Sequence, residues 1–370
     1  MMSDSRQTIL RLSQTMNEMS KVATLFAKAP ATTPIYKIFP LTKRMSWIDA
    51  ARGICIILVV IGHAINGVQG AGLTGREGIL YNIYYFIYTF HMPAFFVLSG
   101  LLARASVNKN GERFFKNIIK NIAYPYFLYG SVQLLVMNVF SNQLNSPAPF
   151  DLFEFRYLFI GSPSQFWFLK TLFLMHVVYL ISRKYINIHW FLLICITLRG
   201  CSELLPIPAD LGGFSDFAIF YAIGVLFSED SIDWPSRCRF SLLWVGIFGF
   251  LWFVFATASL SIHDPIVGGS PLRGSLLPAS IAGSLFVFAL SGSKYIENIN
   301  TLLYIGRNTL PIFCLHVLFV AGTRIVLAKF FGISEVMLIL PAAIFAGIAG
   351  PLMIVAIAER YRLRSALGLG

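Results

Sequence analysis

The sequence predicts an all-α, polytopic integral membrane protein with about ten transmembrane helices and both termini in the cytoplasm. Composition is the first ground. Of 370 residues, 56% are hydrophobic and 12% are charged, and mean hydropathy is +0.71. A soluble domain is typically about 25% charged, so this chain cannot clothe a soluble particle. A soluble enzyme, a disordered chain and a collagen-like fibre are thereby excluded. The second ground is the recurrence of apolar stretches close to the ~20 residues that a bilayer requires. They cover 47–68, 79–103, 118–141, 165–182, 188–206, 211–228, 239–260, 275–291, 299–327 and 335–358. The third ground is where the cations fall. With the N-terminus inside, only Arg76, Arg156, Arg273, Arg324 and Lys329 lie in outer segments, while Arg52, Lys170, Arg199 and Arg307 lie within spans. The remaining cations share the inner side, as the positive-inside rule requires.

The charge balance, 29 Lys+Arg against 17 Asp+Glu, therefore serves cytoplasmic loops and the anionic headgroups of a lipid bilayer. No zinc-finger spacing and no basic recognition helix points to nucleic acid. The five cysteines form no CxxC pair, so neither a disulfide framework nor a metal site is implied.

Residues 1–46 precede the first span. Ile9, Leu12, Met16, Met19, Ala23 and Phe26 recur at spacings of three and four between Arg6, Arg11 and Lys21. That pattern predicts an amphipathic helix on the inner membrane face, without the unbroken apolar core of a signal peptide. The first span carries the densest polar set, WIDAARGICIILVVIGHAINGV. Arg52 and His63 are eleven residues apart, about three turns plus ~20°, so they share a helical face and lie roughly 16 Å apart along the axis. Asp49 can reach Arg52 as an i,i+3 pair. A single arginine near a helix end often only snorkels, and a single histidine on an apolar helix often only packs. Their shared face argues for more.

In the second span, His91 is followed by Pro93, which predicts a kink and freed carbonyls beside the imidazole. Ser99 and Gly100 permit close helix approach, and Arg104 marks the inner boundary. The following GERFFKNIIKNIAYPY adds Arg113, Lys116 and Lys120. This basic run satisfies the positive-inside rule, and it is also suited to gripping the phosphates of an acyl-CoA. Residues 142–164 form the longest outer loop. Trp167, at the start of the fourth span, can stack on a sugar face or serve as a belt anchor. Lys170 and His176 do not share a face, and His263–Asp264 reads as a solvated turn. Spans five and six are the weakest, interrupted by Arg199, Pro206, Pro208 and Gly212–Gly213. Arg307 and His316 fall in the ninth span, where either can support a cavity or the packing. Residues 359–370 form a basic inner tail. No HExxH, GxSxG or Walker pattern stands out, so metal, serine-hydrolase and nucleotide mechanisms gain no support.

Arg52-x10-His63 within WIDAARG…GH, followed by FHMPAFFVLSG, resembles the membrane-bound acyltransferase-3 family, especially its fucose and polysaccharide O-acetylases. Pro125–Tyr126, the Phe166–Leu169 run FWFL and IGRNTLPIFCLH (Ile305–His316) agree, so the resemblance runs from about residue 44 to 358. KNIIKNIAYPY departs from the arginine-rich run of many members, which leaves the phosphate-contacting cations in doubt. The resemblance implies a ten-helix acyltransferase domain over 47–358. It would move an acyl group, usually acetyl, from cytoplasmic acetyl-CoA or another acyl-CoA to a sugar hydroxyl of an envelope polysaccharide, in a bacterial inner membrane. No bound cofactor or metal is expected. In that frame His63 acts as general base or acyl-accepting nucleophile, and Asp49 orients Arg52. Arg52 and Arg104, with Arg113 and Lys116, bind CoA phosphates or stabilise charge on the thioester carbonyl. His91, Ser99, Trp167, Arg307 and His316 line or support the acceptor site. Direct transfer and an acyl-histidine relay both remain open. A secondary transporter or glycan exporter is the alternative, although such proteins favour paired halves with matching broken helices, and no internal repeat is seen.

Overall fold

The structure, a computed structural model, describes residues 45–141, 155–204, 209–228, 242–262, 276–296 and 298–369. The predicted N-terminal amphipathic helix, Cys238, Arg273 and His263–Asp264 lie outside the described residues. What is described is helical, with no strand among the described residues. In chain order the helices are α1 (Ser46–Gly70), α2 (Gly78–Tyr88), α3 (His91–Lys109), α4 (Gly111–Ile118), α5 (Tyr124–Val139), α6 (Tyr157–Ile160), α7 (Trp167–Ser182) and α8 (Ile188–Leu204). They continue with α9 (Ala209–Phe227), α10 (Leu242–Ile262), α11 (Leu277–Ser291), α12 (Asn300–Arg307), α13 (Thr309–Ile325) and α14 (Val336–Arg360). Single π-helical turns follow α4 (Ile119–Ala123) and α13 (Val326–Phe330).

Six helical stretches are long and apolar enough to cross a bilayer: Ser46–Gly70, Gly78–Lys109, Leu158–Ser182, Leu242–Leu260, Thr309–Phe330 and Val336–Arg360. Leu211–Phe227 and Leu277–Ser291 are apolar but shorter. The two other predicted spans, 118–141 and 188–206, are largely helical without reaching that length and hydropathy. The ninth predicted span also divides. Its chain turns at Asn308, and the long apolar stretch starts at Thr309, so Arg307 precedes it.

Small residues set the helix contacts, as expected where lipid supplies no hydrophobic drive between helices. Gly53 of α1 and Gly306 of α12 bring two backbones together. A Cβ on Gly53 would stand 2.5 Å from the Leu302 carbonyl oxygen, and one on Gly306 would collide with the Asp49 carbonyl. Gly100 of α3 and Gly224 of α9 interlock in the same way, each against the other helix's backbone at Tyr221 and Val97. On α14, Gly347 admits Val60 and Val320, and Gly350 admits the Phe319 ring.

The break in the second span lies four residues before Pro93, at Thr89–Phe90. Pro93 has no N–H to give the Thr89 carbonyl. Ser280 Oγ of α11 donates to that oxygen instead, at 2.5 Å, and Trp252 Nε1 donates to Thr89 Oγ1 at 3.0 Å. The kink is thereby tied to α10 and α11.

Spans five and six are joined by charge. Arg199 of α8, buried, pairs with Asp216 of α9 at 3.0 Å and with Glu203 at 2.5 Å. The C-terminal segment, read as a basic inner tail, is packed against the bundle. Tyr124 Oη and Tyr129 Oη donate to the carbonyls of Ala366 and Leu367 at 2.6 and 2.8 Å. Arg364 pairs with Glu359 and donates to Asn308 Oδ1, and Leu369 is buried.

The Gly53–Gly306 contact gives a direct expectation. Gly306→Val should lower unfolding free energy by about 1–3 kcal/mol, the usual cost of overpacking. Gly322→Ala, where the added Cβ meets nothing within 4 Å, should be neutral or slightly stabilising. Denaturant unfolding in detergent micelles checks both, and equal behaviour of the two variants would refute the close-packing account.

Candidate active site

The site is assembled around α1. His63 is half-buried, and its ring meets that of His316 on α13, with centroids 5.0 Å apart and planes at 63°. His91, at the start of α3, is buried and lies within electrostatic reach of His63. Tyr88 joins the two helices. Its ring lies against Gly62, where a Cβ would stand 2.7 Å from it, and it packs edge-on against His91 at 4.8 Å.

Hydrogen bonds fix two of the three tautomers. His316 Nδ1 lies 3.0 and 2.9 Å from the carbonyls of Ile312 and Phe313, and His91 Nδ1 lies 2.7 Å from that of Ile87. Carbonyl oxygens only accept, so each Nδ1 carries the proton and each Nε2 carries the lone pair. In His316 that Nε2 is sealed from solvent with no hydrogen-bond partner. An unsatisfied buried acceptor costs about 1–3 kcal/mol, a cost usually kept only where the group has work to do. His91 also performs a structural task, since its side chain binds a carbonyl at the kink. Among the described residues no three His, Cys, Asp or Glu side chains are grouped to hold a metal ion.

Asp49 and Arg52 lie about four and three turns of α1 away from His63, toward the helix start. Asp49 is buried, and its Oδ2 accepts from Arg307 Nε at 3.1 Å, with the Arg307 side chain half-exposed. Sequence spacing found the neighbour Arg52 but not Arg307, because that partner is 258 residues away. Arg52 is half-buried. Arg104 is also half-buried. It lies thirteen residues after His91, ~20 Å along α3 at 1.5 Å per residue, and α3 runs back toward the start of α1. The two arginines therefore sit at the same end of the site.

Arg113 and Lys116 are exposed on α4, whose other face buries Phe114 and Ile118. Asn110 Oδ1 caps this helix by accepting from the Arg113 N–H at 2.8 Å. Lys116 Nζ is 2.6 Å from Glu112 Oε1. That hydrogen bond, with the lysine charge, holds the Glu112 carboxyl below its ordinary range. Lys116 thus has a local counter-charge, whereas the Arg113 side chain pairs with no described residue.

Other predicted members stand apart from the imidazoles. Ser99 Oγ donates to the Phe95 carbonyl of its own helix at 2.8 Å, which satisfies it locally. Trp167 stacks on Phe217 at 5.3 Å and lies over Gly213, so one ring face is taken by packing. His176 stacks on Phe114 at 5.2 Å, and Lys170 caps α6 by donating to Gly161 O at 2.8 Å. Sequence reasoning missed one residue. Arg324, counted among outer-segment cations, is 5% exposed within α13 and has an unpartnered Nε. The apolar run on both sides of it was the available signal.

These features define a polytopic helical membrane protein whose polar groups converge inside the bundle on facing imidazoles, with arginines toward one end. The family model of the acyltransferase-3 group, described as an acyltransferase domain, matches residues 45–356. The chain belongs to that family and is a membrane acyltransferase. No curated protein matches the sequence significantly.

The Asp49–Arg307 contact predicts measurable coupling. In a double-mutant cycle of Asp49→Asn and Arg307→Gln, the coupling energy should be up to about 1 kcal/mol, as for a pair with one partner half-exposed. Strict additivity of the two substitutions in unfolding free energy would contradict a direct interaction.

Proposed function

We infer that the protein transfers an acyl group, acetyl in the first instance, from cytoplasmic acyl-CoA to a sugar hydroxyl of an envelope or exported polysaccharide. The observation that carries this reading is the imidazole pair. The His316 ring that packs against His63 carries an unpartnered Nε2, its Nδ1 being held by carbonyls of its own helix. An acceptor on that neighbouring ring would favour the His63 tautomer whose proton can turn to it, leaving the other His63 nitrogen as a base.

In direct transfer, that nitrogen takes the proton of the sugar hydroxyl as its oxygen bonds to the thioester carbonyl carbon. The C–S bond then breaks, and the CoA thiolate leaves and receives the proton held by His63. In the relay form, the same nitrogen attacks the carbonyl first and expels the CoA thiolate; the sugar hydroxyl oxygen then attacks the acyl-histidine carbonyl and expels the imidazole, and the hydroxyl proton passes to the thiolate. Both forms build charge on His63, which the His316 lone pair stabilises. Arg52 and Arg104, backed by Arg113 and Lys116, bind the donor's phosphates at the cytoplasmic end, and Arg307 holds Asp49 beside Arg52. On the expected topology, with the N-terminus inside, the donor meets that end and the acceptor the other. The family membership and the intramembrane position of the imidazoles support this assignment.

The test uses purified protein in nanodiscs with labelled acetyl-CoA and an envelope glycan fraction. Label should reach the glycan. His63→Ala should lower the rate about 10²–10⁴-fold, the range of acid–base contributions, and His316→Ala should lower it less. Arg52→Ala should raise the KM for acetyl-CoA while membrane insertion persists. Unchanged transfer in His63→Ala, or glycan movement without acylation, would overturn the assignment.

A further inference from the structure

Arg324 is an intramembrane arginine used neither by the proposed chemistry nor by an ion pair among the described residues. It lies eight residues beyond His316 on α13, 5% exposed, with Nε sealed from solvent and unpartnered. No described carboxylate forms an ion pair with it. The same fold shows how structural arginines are handled, since Arg199 is held by Asp216 and Glu203, and Arg307 by Asp49. A guanidinium withdrawn from water without a counter-charge is costly, and charges inside a membrane protein mark substrate paths.

Its position relates it to the imidazoles. The side chain lies over Gly67 of α1, with Nε 3.8 Å and Cδ 4.0 Å from where a Cβ would stand. Gly67 is one turn beyond His63, ~6 Å along the axis and ~40° around it. The helix widens into a π turn, Val326–Phe330, directly after Arg324, a distortion frequent at functional positions. Along α1 and α13 the order is therefore Asp49–Arg307, then the imidazole pair, then Arg324. A ligand at Arg324 approaches His63 from the end opposite the donor cations.

We propose that Arg324 receives an oxyanion carried by the acceptor, so the acyl group goes to a saccharide bearing a carboxylate or phosphate rather than to a neutral sugar. This rests on the acyl-transfer reading of the same site. With Nε laid against α1, the terminal fork of the guanidinium is the edge that meets the ligand, and it binds such oxyanions bidentately. The ~6 Å step from Gly67 to His63 is about one sugar ring, so an oxyanion on Arg324 brings a hydroxyl of that ring to the imidazole. A lipid headgroup phosphate offers the same chemistry, and the experiment separates the two.

Wild-type protein, Arg324→Gln and Arg324→Lys are placed in phosphatidylcholine nanodiscs and titrated with methyl glucuronide, glucose 1-phosphate and neutral methyl glucoside, with binding read from tryptophan fluorescence. Wild-type protein should bind at least one charged sugar about tenfold to a hundredfold more tightly than the neutral one, the worth of one charge-assisted hydrogen bond. Arg324→Gln should erase that preference, and Arg324→Lys should keep part of it. A wild-type protein without charge preference, or an undiminished preference in Arg324→Gln, overturns the proposal. So does a preference abolished by adding phosphatidylglycerol to the nanodisc, which assigns Arg324 to lipid. Should Arg324→Gln fail to fold, the wild-type preference and its weakening in Arg324→Lys decide. Acetyl transfer to the same sugars is followed in parallel. Charge-selective binding without transfer removes the acyl-transfer reading alone, and transfer without charge selectivity removes the Arg324 assignment alone.

Discussion

The contact between Gly53 and Gly306 governs where the polar groups of this bundle can meet. With no side chain between the two backbones, α12 is pressed onto α1. The chain then turns at Asn308, whose Nδ2 donates to the Tyr304 carbonyl at 2.9 Å and whose Oδ1 accepts from Arg364. That turn launches α13 along α1, so that His316, eight residues on, faces His63. The same approach puts Arg307 beside Asp49. A single methyl group at the crossing would separate the ion pair and the imidazoles together. Helices in a bilayer gain little from hydrophobicity when they associate, so close backbone packing is the means by which polar side chains are brought into register.

Along α1 the polar groups are spaced rather than clustered. Asp49 and Arg52 occupy one end, the imidazoles the middle, and Gly67, opposite Arg324, the other end. Burial makes this spacing consequential, because a charge in a low-dielectric interior interacts strongly over short distances and is costly when unpaired. Charges at the two ends with neutral imidazoles between them suit a reaction that joins two substrates arriving from opposite sides. The reacting atoms meet where no fixed charge stands, and the charged parts of both substrates stay near the surfaces.

How much of this was legible depends on whether a feature belongs to one helix or to two. The shared face of Arg52 and His63 follows from helical periodicity within α1. The basic face of α4 and the disturbance at Pro93 were equally readable. The structure moves the break back to Thr89, because a proline acts on the carbonyl four residues earlier, and Ser280 of α11 occupies that oxygen. The Asp49–Arg307 pair and the facing of His316 toward His63 are contacts between segments distant in the chain, and no spacing rule reaches them. Arg324 was obscured by its place near the end of an apolar run, where a cation is ordinarily read as a loop anchor. Ser99 and Trp167 were singled out for residue type, yet their own helix or a neighbouring ring already occupies them.

The pairing of imidazole with imidazole, where many acyl-transfer sites pair histidine with a carboxylate, follows from the surroundings. A carboxylate beside His63 would need its own donors to survive burial, and few are present among the apolar side chains of α1 and α13. His316 avoids that cost because it is neutral and its Nδ1–H is held by two carbonyls of its own helix. This anchoring settles which nitrogen of His316 carries the lone pair without any further residue. A neutral partner stabilises developing imidazolium less than a carboxylate does. On the proposed acyl-CoA reading, the roughly 16 Å of α1 between Arg52 and His63 is the length that the donor would bridge between its phosphates and its thioester.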